Sequence, residues 1–500
     1  MDVAVEARQG VEQEAGHFDV LIVGAGISGI DAAYHLQQHC PGKSFALLEN
    51  QESFGGTWLT HKYPGIRSDS DLYTFGYGWK PWCSAPIATA EEILTYLDEV
   101  LDEHDIRRHV RYRHEVKSAA WSSDERQWTL AVARLDTGEE LRFTCNFLWM
   151  CQGYYRHSEG YTPDFPGIER FQGPIVHPQT WPEELDYKDK NVLVIGSGAT
   201  AATVVPAMAD DCAHITMLQR SPTYFYPAAN RAEIADMLRE LDVPEEWVHE
   251  ITRRKILSDQ KTVIRRSFED SEALKDELIA GARTYLGDDF DVETHFTPSY
   301  RPWRQRLAFL PDGDLFRGIK AGKASVVTDG IETFTEKGVL LRSGTELEAD
   351  IIVTATGFNL CAMGDIDFAV DGEPVNFADC IGHRGILFTG VPNMAWVFGY
   401  LRASWTLRAD LVSGFVCRLL NHMAEKGADV VTPQLREEDQ DMPALPWVDP
   451  ENFNAGYLTR NMHLMPKQGD REPWIFSQDY FREKVEIPAA DLEDGTLVYR

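Results

Sequence analysis

Basic residues are scarce in this chain. Its 500 residues include 48 Lys and Arg against 79 Asp and Glu, which gives a formal charge of -31 at pH 7. Binding to the phosphate backbone of nucleic acids requires a basic face, and anionic lipid surfaces likewise attract basic segments. The composition therefore argues against nucleic acids and anionic membranes as partners, and it favours solubility.

Cysteine is also rare, and its eight positions are scattered along the chain. No two cysteines form a C-x-x-C pair, and no Cys/His cluster has the spacing of a zinc site. We therefore expect no metal site and no dithiol redox centre. Free, mostly buried thiols are typical of a reducing compartment.

Long hydrophobic runs are missing as well. Residues 191–209 are rather apolar, but they are interrupted by Gly196, Gly198 and Pro206, so we expect no stable membrane insertion. Residues 1–16 are polar and acidic, which is unlike a signal peptide, and we expect them to be a flexible N-terminus. These features predict a cytoplasmic protein of two or three domains, since the chain is too long for one compact core.

A first glycine-rich fingerprint follows an apolar run near the N-terminus. Residues 18–23 suit a buried parallel strand, and Gly24, Gly26 and Gly29 then give G-x-G-x-x-G before apolar residues at helical spacing. The three glycines allow the tight turn, the approach of the backbone to a pyrophosphate and close helix packing. The next strand ends in Glu49, whose carboxylate suits a ribose 2′-OH and repels a 2′-phosphate, so this half should bind FAD or NAD.

A second fingerprint begins after the strand candidate at residues 190–195. It reads G-x-G-x-x-A, and the following strand is succeeded by Arg220. An arginine there can pair with a 2′-phosphate through two hydrogen bonds, which contrasts with the acid at the first site. We therefore expect NADPH here and FAD at the first site. The expected contacts of this second site are Gly196, Gly198, Thr200, Ala201, Arg220 and Ser221.

The segment between the fingerprints suggests the chemistry. Residues 171–182 read F-x-G-x-x-x-H-x-x-x-W-P, with fixed positions at Phe171, Gly173, His177 and Trp181. In this order with the two fingerprints, the chain resembles the Baeyer–Villiger monooxygenases. The related N- and S-oxygenases carry a motif that ends in tyrosine, so the tryptophan favours the Baeyer–Villiger branch. The resemblance extends from about residue 17 to about residue 480 and is strongest to the EthA-like subgroup.

The resemblance implies an α/β fold with two Rossmann-like dinucleotide-binding domains, for FAD and NADP, and a helical insertion in the NADP domain. It implies an NADPH- and O2-dependent flavoenzyme that converts ketones to esters or lactones through a C4a-peroxyflavin. Thioethers are expected as further substrates. His177 is expected to help couple domain motion, although its ordinary pKa near neutrality would also suit proton transfer.

The resemblance also places an essential arginine six residues after a tyrosine. Counting from Tyr300 selects Arg306, while Arg301 and Arg304 remain alternatives. Asp69 aligns with the aspartate that partners this arginine beside the flavin. Further positions expected to bind cofactor are Gly56, Thr57, Trp58, Thr356, Gly357, Asn393 and Met394.

We expect a discontinuous FAD domain. Its first part should span residues 17–155, and its second part residues 346–500 together with substrate-side loops. The linker and NADP domain should occupy residues 156–345, with the helical insertion at about 230–295. Two alternative functions remain open at this stage: a flavin monooxygenase acting mainly on sulfur or nitrogen, and an uncoupled NADPH oxidase. The oligomeric state is left open as well.

Overall fold

The computed structural model describes residues 13–500. Of the N-terminal segment that we expected to be flexible, residues 1–12 lie outside the described residues. For residues 13–16 the expectation of flexibility is corrected, because these residues begin the strand Gln13–Val23. This strand pairs in parallel with Glu139–Met150 along its whole length, with a bulge between Glu14 and Gly16. Backbone pairing therefore orders a polar stretch that has no apolar pattern to reveal it.

The larger sheet has nine strands within residues 13–500. Its centre is parallel, and the strand Gln13–Val23 lies between Glu139–Met150 and Phe45–Leu48. In spatial order its strands are Glu373–Pro374, Asp367–Val370, His114–Ser122, Gln127–Arg134, Glu139–Met150, Gln13–Val23, Phe45–Leu48 and Val110–Arg111, and Met394–Trp396 also pairs with Glu139–Met150.

The parallel centre of this sheet is buried on both faces. Val20 and Ile22 belong to one hydrophobic core cluster, and Leu21 and Val23 belong to another on the opposite face. A continuous apolar run is what a parallel strand covered on both sides requires. The sequence pattern at residues 18–23 predicted this placement.

The second sheet has five parallel strands, and it explains one correction to the expected domain bounds. In order they are Ala324–Thr328, His214–Gln219, Asn191–Ile195, Ile351–Thr354 and Ile175–Val176. The strand Ile351–Thr354 falls in the range that we gave to the second part of the FAD domain, but it pairs beside Asn191–Ile195. A strand that runs into a glycine turn looks the same in either sheet, so the local pattern did not show its partner.

Shorter ladders complete the strands. The chain passes twice between the two sheets, and these passages pair with each other as the antiparallel strands Tyr155–Gly160 and Phe358–Leu360. The other short strands are Phe225–Ala228 with Ala308–Pro311, Ile331–Phe334 with Gly338–Leu341 and Glu346–Glu348, Gly382–His383 with Leu387–Phe388, Val431–Pro433 with Leu497–Tyr499, and Leu445–Pro446 with Lys467–Gln468.

Thirteen α-helices lie within residues 13–500. They are α1 Ile27–His39, α2 Thr57–Thr60, α3 Leu72–Phe75, α4 Ala90–Glu103, α5 Ala199–Met208, α6 Glu233–Glu240, α7 Glu245–Glu269, α8 Ser271–Leu286, α9 Val292–Phe296, α10 Asp314–Lys320, α11 Trp405–Lys426, α12 Gly456–Asn461 and α13 Tyr480–Glu486. The fingerprint helices α1 and α5 each follow a central strand, and α6 to α9 form the expected helical insertion. No helix of the described residues is both long enough and apolar enough to cross a membrane.

Candidate active site

Both fingerprints open onto one large cavity. Its volume is about 1340 Å³, and its lining includes Gly24, Gly26, Gly196 and Gly198. Ligands of open α/β sheets bind at the carboxyl ends of the strands, which is where both glycine turns lie. The cavity therefore has the position and the size for two dinucleotides that meet.

The first glycine of each fingerprint lies against a passage between the two sheets. Gly24 has a φ of +102°, and a Cβ there would lie 2.7 Å from the Cys151 carbonyl oxygen. Gly196 has a φ of +133°, and its Cβ would lie 2.2 Å from the Ala355 carbonyl oxygen. Any side chain would be strained in this conformation and would collide with backbone. Two segments in which a strand runs into a glycine turn, residues 146–155 and 349–358, thus occupy equivalent positions beside the two fingerprint turns.

Gly29 and Ala201 do not line the cavity, and each lies where a fingerprint helix packs against its sheet. A Cβ on Gly29 would lie 1.9 Å from the Gly24 carbonyl oxygen, which shows how closely α1 crosses its strand. Ala201 is fully buried in the core cluster beneath the second sheet. Both therefore set the distance between helix and strand, as the fingerprint predicts.

Glu49 is held at the first turn by backbone donors. Its Oε2 accepts a hydrogen bond from Ala25 N at 2.7 Å, and its Oε1 accepts one from Gln51 N at 2.8 Å. Burial raises the pKa of this carboxyl, and the backbone N–H groups oppose the rise. The side chain is 5% exposed and lines the cavity.

The second turn has the opposite electrostatic character. Arg220 and Ser221 lie exposed at the end of the strand His214–Gln219 and line the cavity. The preceding Gln219 is buried and donates to the His295 carbonyl oxygen at 2.7 Å, which anchors the strand end. An exposed guanidinium at this edge suits a phosphate group.

The wall of the cavity on the side of the first fingerprint also includes Gly56, Thr57 and Trp58. Gly56 lies at a φ of +55°, and its Cβ would be 3.2 Å from the Cα of Gly26. The Thr57 hydroxyl lies 2.6 Å from that of Tyr155. All three residues line the cavity, as do Thr356 and Gly357 on the second passage between the sheets.

Arg306 and Asp69 meet inside this cavity. Arg306 donates from Nε and Nη2 to the two carboxylate oxygens of Asp69, each at 2.6 Å. Its Nη1 donates to the Leu401 carbonyl oxygen at 3.2 Å. Burial alone would lower the pKa of Arg306, but Asp69, Tyr457 and Tyr154 raise it overall. The guanidinium is therefore a fixed cation.

The geometry separates the three candidate arginines. Arg301 donates to the carbonyl oxygens of Glu451 and Asn452 at 3.3 and 3.1 Å. Arg304 forms an ion pair with Glu451 at 3.0 Å. Of the three, Arg306 alone lines the cavity.

The linker motif contacts the same region through its histidine. His177 Nδ1 accepts a hydrogen bond from Gln179 N at 3.1 Å, and Nε2 lies 3.1 Å from the Gly357 carbonyl oxygen. This pair of contacts requires the proton on Nε2. Burial lowers the pKa of His177, so the ring stays neutral near neutral pH. Phe171 is buried, Trp181 is half-buried, and a Cβ on Gly173 would lie 2.3 Å from the Asp350 carbonyl oxygen.

Comparison with known proteins agrees with this arrangement. The sequence profile of the family "pyridine nucleotide-disulphide oxidoreductase" matches residues 18–279. FAD-containing monooxygenase EthA of Mycobacterium tuberculosis is 47% identical over 483 residues, covering 96% of this chain and 97% of that protein. Putative FAD-containing monooxygenase MymA of the same organism is 44% identical over 486 residues, covering 96% and 97%. The chain belongs to the EthA-like FAD-containing monooxygenases.

A solved structure shares the fold at lower identity. OTEMO in complex with FAD and NADP has a TM-score of 0.68 and 22% identity, covering 86% of this chain and 88% of that one. At this identity the likeness shows the fold alone, with its two dinucleotide-binding domains.

The residues of this family member fit two dinucleotides. Gly26 and Gly56 lie next to each other in the cavity wall, and without side chains they leave their backbone open to a ligand. A Cβ on Gly198 would meet nothing within 4 Å, so there is open space beside this glycine as well. The side-chain amide of Gln152 lines the cavity, and neither its oxygen nor its nitrogen has a hydrogen-bond partner within residues 13–500. A polar ligand in the cavity would give these two atoms the hydrogen-bond partners that buried polar groups normally have.

Two expected cofactor contacts lie elsewhere. Asn393 is buried and donates to the carbonyl oxygens of Asn146 and Asp429, each at 2.8 Å, and it accepts from Val431 N. Met394 pairs with Leu148 in the larger sheet. Neither lines the cavity. The expectation that Asn393 contacts a cofactor is therefore corrected. Its amide instead joins the backbone at Asn146 to the backbone at Asp429, and the sequence contains no pattern that shows this contact.

Sequence reasoning missed two phenols beside Arg306. Tyr154 and Tyr457 line the cavity, and Tyr154 stacks on Trp405 at a centroid distance of 5.0 Å. Burial raises the pKa of both tyrosines, and Arg306 opposes the rise. They remain hydrogen-bond donors at neutral pH. Tyr154 lies in the first strand-to-glycine segment, which was the available signal, and Tyr457 lies in the range 346–500 that we expected to include substrate-side loops.

Proposed function

We propose that this protein is an NADPH- and O2-dependent FAD monooxygenase that converts ketones to esters or lactones and also oxidises thioethers. The observation that carries the proposal is the Arg306–Asp69 pair, which fixes a cation in the cavity between the two fingerprints. A simple flavin reductase would need the fingerprints but no such cation.

The first fingerprint would hold FAD through Gly24, Gly26, Glu49, Gly56 and Thr57, with Trp58 beside them. The second would hold NADPH through Gly196, Gly198, Thr200, Arg220 and Ser221, and Thr356 and Gly357 line the same cavity. Bound together, these cofactors supply hydride transfer to the flavin and activation of O2.

Arg306 supplies fixed positive charge where negative charge develops on oxygen. Preorganised donors in a partly enclosed site stabilise such charge more than water does, because they need no reorganisation. Asp69 holds two of the guanidinium nitrogens, so the remaining Nη1 edge and the orientation of the plane are set before substrate arrives. Arginine stays protonated through the pH range of any enzyme.

Tyr154 and Tyr457 add neutral donors next to this cation. Their pKa values are raised by burial, so they can donate a hydrogen bond to a substrate carbonyl oxygen without losing a proton. His177 belongs to a different step, because its contact with Gly357 joins the linker to the second passage between the sheets. We assign it to coupling between the two nucleotide sites.

The test is product analysis under 18O2. The FAD-loaded protein is incubated with NADPH and a panel of linear and aryl ketones plus one thioether, and mass spectrometry looks for a single 18O in each product. Labelled ester from wild type supports the proposal. Labelled sulfoxide without any ester would reassign the enzyme to heteroatom oxidation, and NADPH consumption that yields only H2O2 would make it an oxidase.

Two variants locate the chemistry. Arg306→Ala should retain reduction of the flavin by NADPH and lose ester formation. Arg304→Ala is the matched control, because this arginine is close in sequence but pairs with Glu451 outside the cavity. If Arg306→Ala still forms ester at the wild-type rate, the assignment of the cation is wrong.

A further inference from the structure

The short helix α12 contributes two polar side chains to the cavity. Tyr457 and Arg460 both line it, and they are one helical turn apart, so they lie on the same side of the helix. Leu458 between them is fully buried in the core cluster on one face of the larger sheet. The packing of this leucine holds the helix in place, and the positions of the two polar side chains are therefore linked.

Tyr457 lies at the Arg306 end of this arrangement. Its side chain is hydrogen-bonded to that of Tyr154. Burial raises the pKa of Tyr457, Tyr154 adds to the rise, and the positive charge of Arg306 opposes it. The phenol is therefore close enough to the guanidinium to interact with it, and it remains a neutral hydrogen-bond donor beside the fixed cation.

Arg460 lies at the edge of the second sheet. Its guanidinium carbon is 3.5 Å from the ring centroid of Tyr161, and its Nη2 donates to the Phe358 carbonyl oxygen at 3.4 Å. A Cβ on Gly357 would lie 3.4 Å from the same Nη2. Gly357 and Phe358 follow the parallel strand Ile351–Thr354. Arg460 is therefore at the carboxyl ends of these strands, where open α/β sheets bind nucleotides.

Arg460 forms no salt bridge within residues 13–500. Its Nε is buried without a hydrogen-bond partner in this range, and its side chain donates only to a backbone carbonyl oxygen. Stacking on Tyr161 orients the guanidinium but does not neutralise it. Burial lowers the pKa of Arg460, Tyr161 raises it, and the charge of Arg220 lowers it again. Arg220 and Arg460 are thus two positive groups of one cavity that are close enough to repel each other.

This pair of charges favours an anion. A partly buried cation without a partner destabilises the fold, and a second cation nearby increases the effect. A phosphate group carries the opposite charge, and the planar forks of arginine match its oxygens. Arg220 lies at the turn where the second fingerprint would hold a dinucleotide phosphate, and Arg460 lines the same cavity.

We propose that Arg460 binds a phosphate group of NADPH together with Arg220, and that this contact positions Tyr457 beside Arg306. The inference rests on the proposed function, because it adds a residue to the same NADPH site. A bound phosphate removes the repulsion between the two arginines and holds the end of α12, so the tyrosine one turn earlier keeps its place next to the cation. Arg460 is a cofactor contact, and for oxygenation it is a positioning residue.

Binding of nucleotides tests the contact without turnover. NADP+, NAD+ and 2′-AMP are titrated by calorimetry into the FAD-loaded, oxidised protein. Arg460→Gln should bind NADP+ at least about tenfold more weakly than wild type, and Arg460→Lys should lie between the two, since it keeps the charge and loses the fork. Arg170→Gln, at an exposed position outside the cavity lining, should bind as wild type does.

The same titrations identify the phosphate. A loss of affinity in Arg460→Gln that NAD+ shares places the contact at the pyrophosphate. A loss that 2′-AMP shares and NAD+ does not places it at the 2′-phosphate. Added salt should weaken NADP+ binding less in Arg460→Gln than in wild type, because one charge pair is gone.

Hydrogen exchange tests the positioning of α12. Saturating NADP+ should slow exchange of the backbone amides of residues 455–461 in wild type, because the bound phosphate holds the helix. In Arg460→Gln, also saturated with NADP+, this slowing should be absent. Residues 199–208 of α5, at the second fingerprint, should be protected in both proteins, which shows that the nucleotide is bound.

Turnover then links Arg460 to Tyr457. At saturating NADPH, Arg460→Gln should reduce the flavin as wild type does, but it should release more H2O2 and less oxygenated product per NADPH. Tyr457→Phe should show the same change in products without weakening NADP+. The double variant should lose no more product than Tyr457→Phe alone, because both substitutions remove one coupled interaction.

Four outcomes would overturn the proposal. They are an unchanged NADP+ affinity in Arg460→Gln, exchange in α12 of wild type that NADP+ does not slow, equal slowing in Arg460→Gln, and additive losses in the double variant. If Arg460→Gln does not fold, Arg460→Lys replaces it, and an NADP+ affinity equal to that of wild type would likewise overturn the contact. If binding and exchange behave as expected and no substrate is oxygenated, the proposed function fails and the phosphate contact stands.

Discussion

Arg306 and Asp69 are 237 positions apart in the chain, and two hydrogen bonds of 2.6 Å join their side chains inside the cavity. Asp69 follows a turn at residues 63–65, in the half of the chain that carries the first fingerprint, whereas Arg306 lies in the segment between α9 and α10. A carboxylate that accepts from two nitrogens fixes the plane of a guanidinium, which a single contact does not. The pair therefore brings one residue from each side of the cavity to a common point.

Asp69→Asn should leave the cation in place but release its orientation. Asparagine offers one acceptor where the carboxylate offers two, so one of the two bonds to Arg306 is lost. We expect oxygenated product to fall about 100-fold, as when one preorganised donor is removed, with flavin reduction within about twofold of wild type. Stopped-flow reduction and product yield measure the two steps. Asp136→Asn, in an exposed turn, is the control, and full product formation by Asp69→Asn would contradict the role.

Arg220→Ala should change the choice of nicotinamide cofactor. Losing a guanidinium that pairs with a 2′-phosphate should raise the KM for NADPH by roughly 10- to 100-fold, while the KM for NADH should not move. Steady-state kinetics with both cofactors gives the answer. Arg317→Ala removes an exposed arginine of α10 outside the cavity lining and should change neither value. An equal loss with both cofactors would show that Arg220 supports the fold and does not select NADPH.

Gly160→Ala should displace the ring of the linker histidine, His177, without changing that residue itself. A Cβ at this position would lie 1.9 Å from His177 Cε1 and about as close to both ring nitrogens. The ring must move, which breaks its contacts with Gln179 and Gly357. We expect flavin reduction by NADPH to slow about tenfold, with FAD content retained, and His177→Ala to behave alike.

The control for this experiment is Gly414→Ala in α11, where an added Cβ meets nothing within 4 Å. If Gly160→Ala and His177→Ala both reduce flavin at the wild-type rate, the histidine does not couple the two nucleotide sites.

Acid should destabilise the protein in part through His383. Burial, followed by Arg384, lowers its pKa from the ordinary 6.5 to about 3. Between these two pH values the unfolded chain binds a proton at this histidine and the folded chain does not. The contribution of His383 to the free energy of unfolding is therefore present above pH 6.5 and is lost as the pH falls toward 3. From about pH 7 to about pH 5 the loss is about 2 kcal/mol.

Melting temperatures measured across this pH range check the prediction. His383→Gln should show a shallower decline than wild type, whatever its melting temperature at neutral pH. His463→Gln, at an exposed position, should keep the wild-type slope. Parallel curves for His383→Gln and wild type would mean that the ring takes up a proton in the folded state.

The sequence by itself determined the features that depend on neighbouring residues. Each fingerprint is one strand, one glycine turn and one helix, so its geometry follows from residues within about twenty positions of each other. The acid Glu49 and the base Arg220 at the two strand ends are equally local, and they predicted the contrast between the two nucleotide sites before any fold was known. The helical insertion could be predicted for the same reason, since its charged residues recur at helical spacing.

Only the tertiary structure decided which distant segments meet. The strand Ile351–Thr354 has the same local pattern in either sheet, and only its pairing with Asn191–Ile195 assigns it. Asn393 looks like a loop residue in the sequence, but its amide joins Asn146 to Asp429. Pairing across long separations depends on the whole packed chain, because periodicity specifies which face of an element is buried and not what covers it.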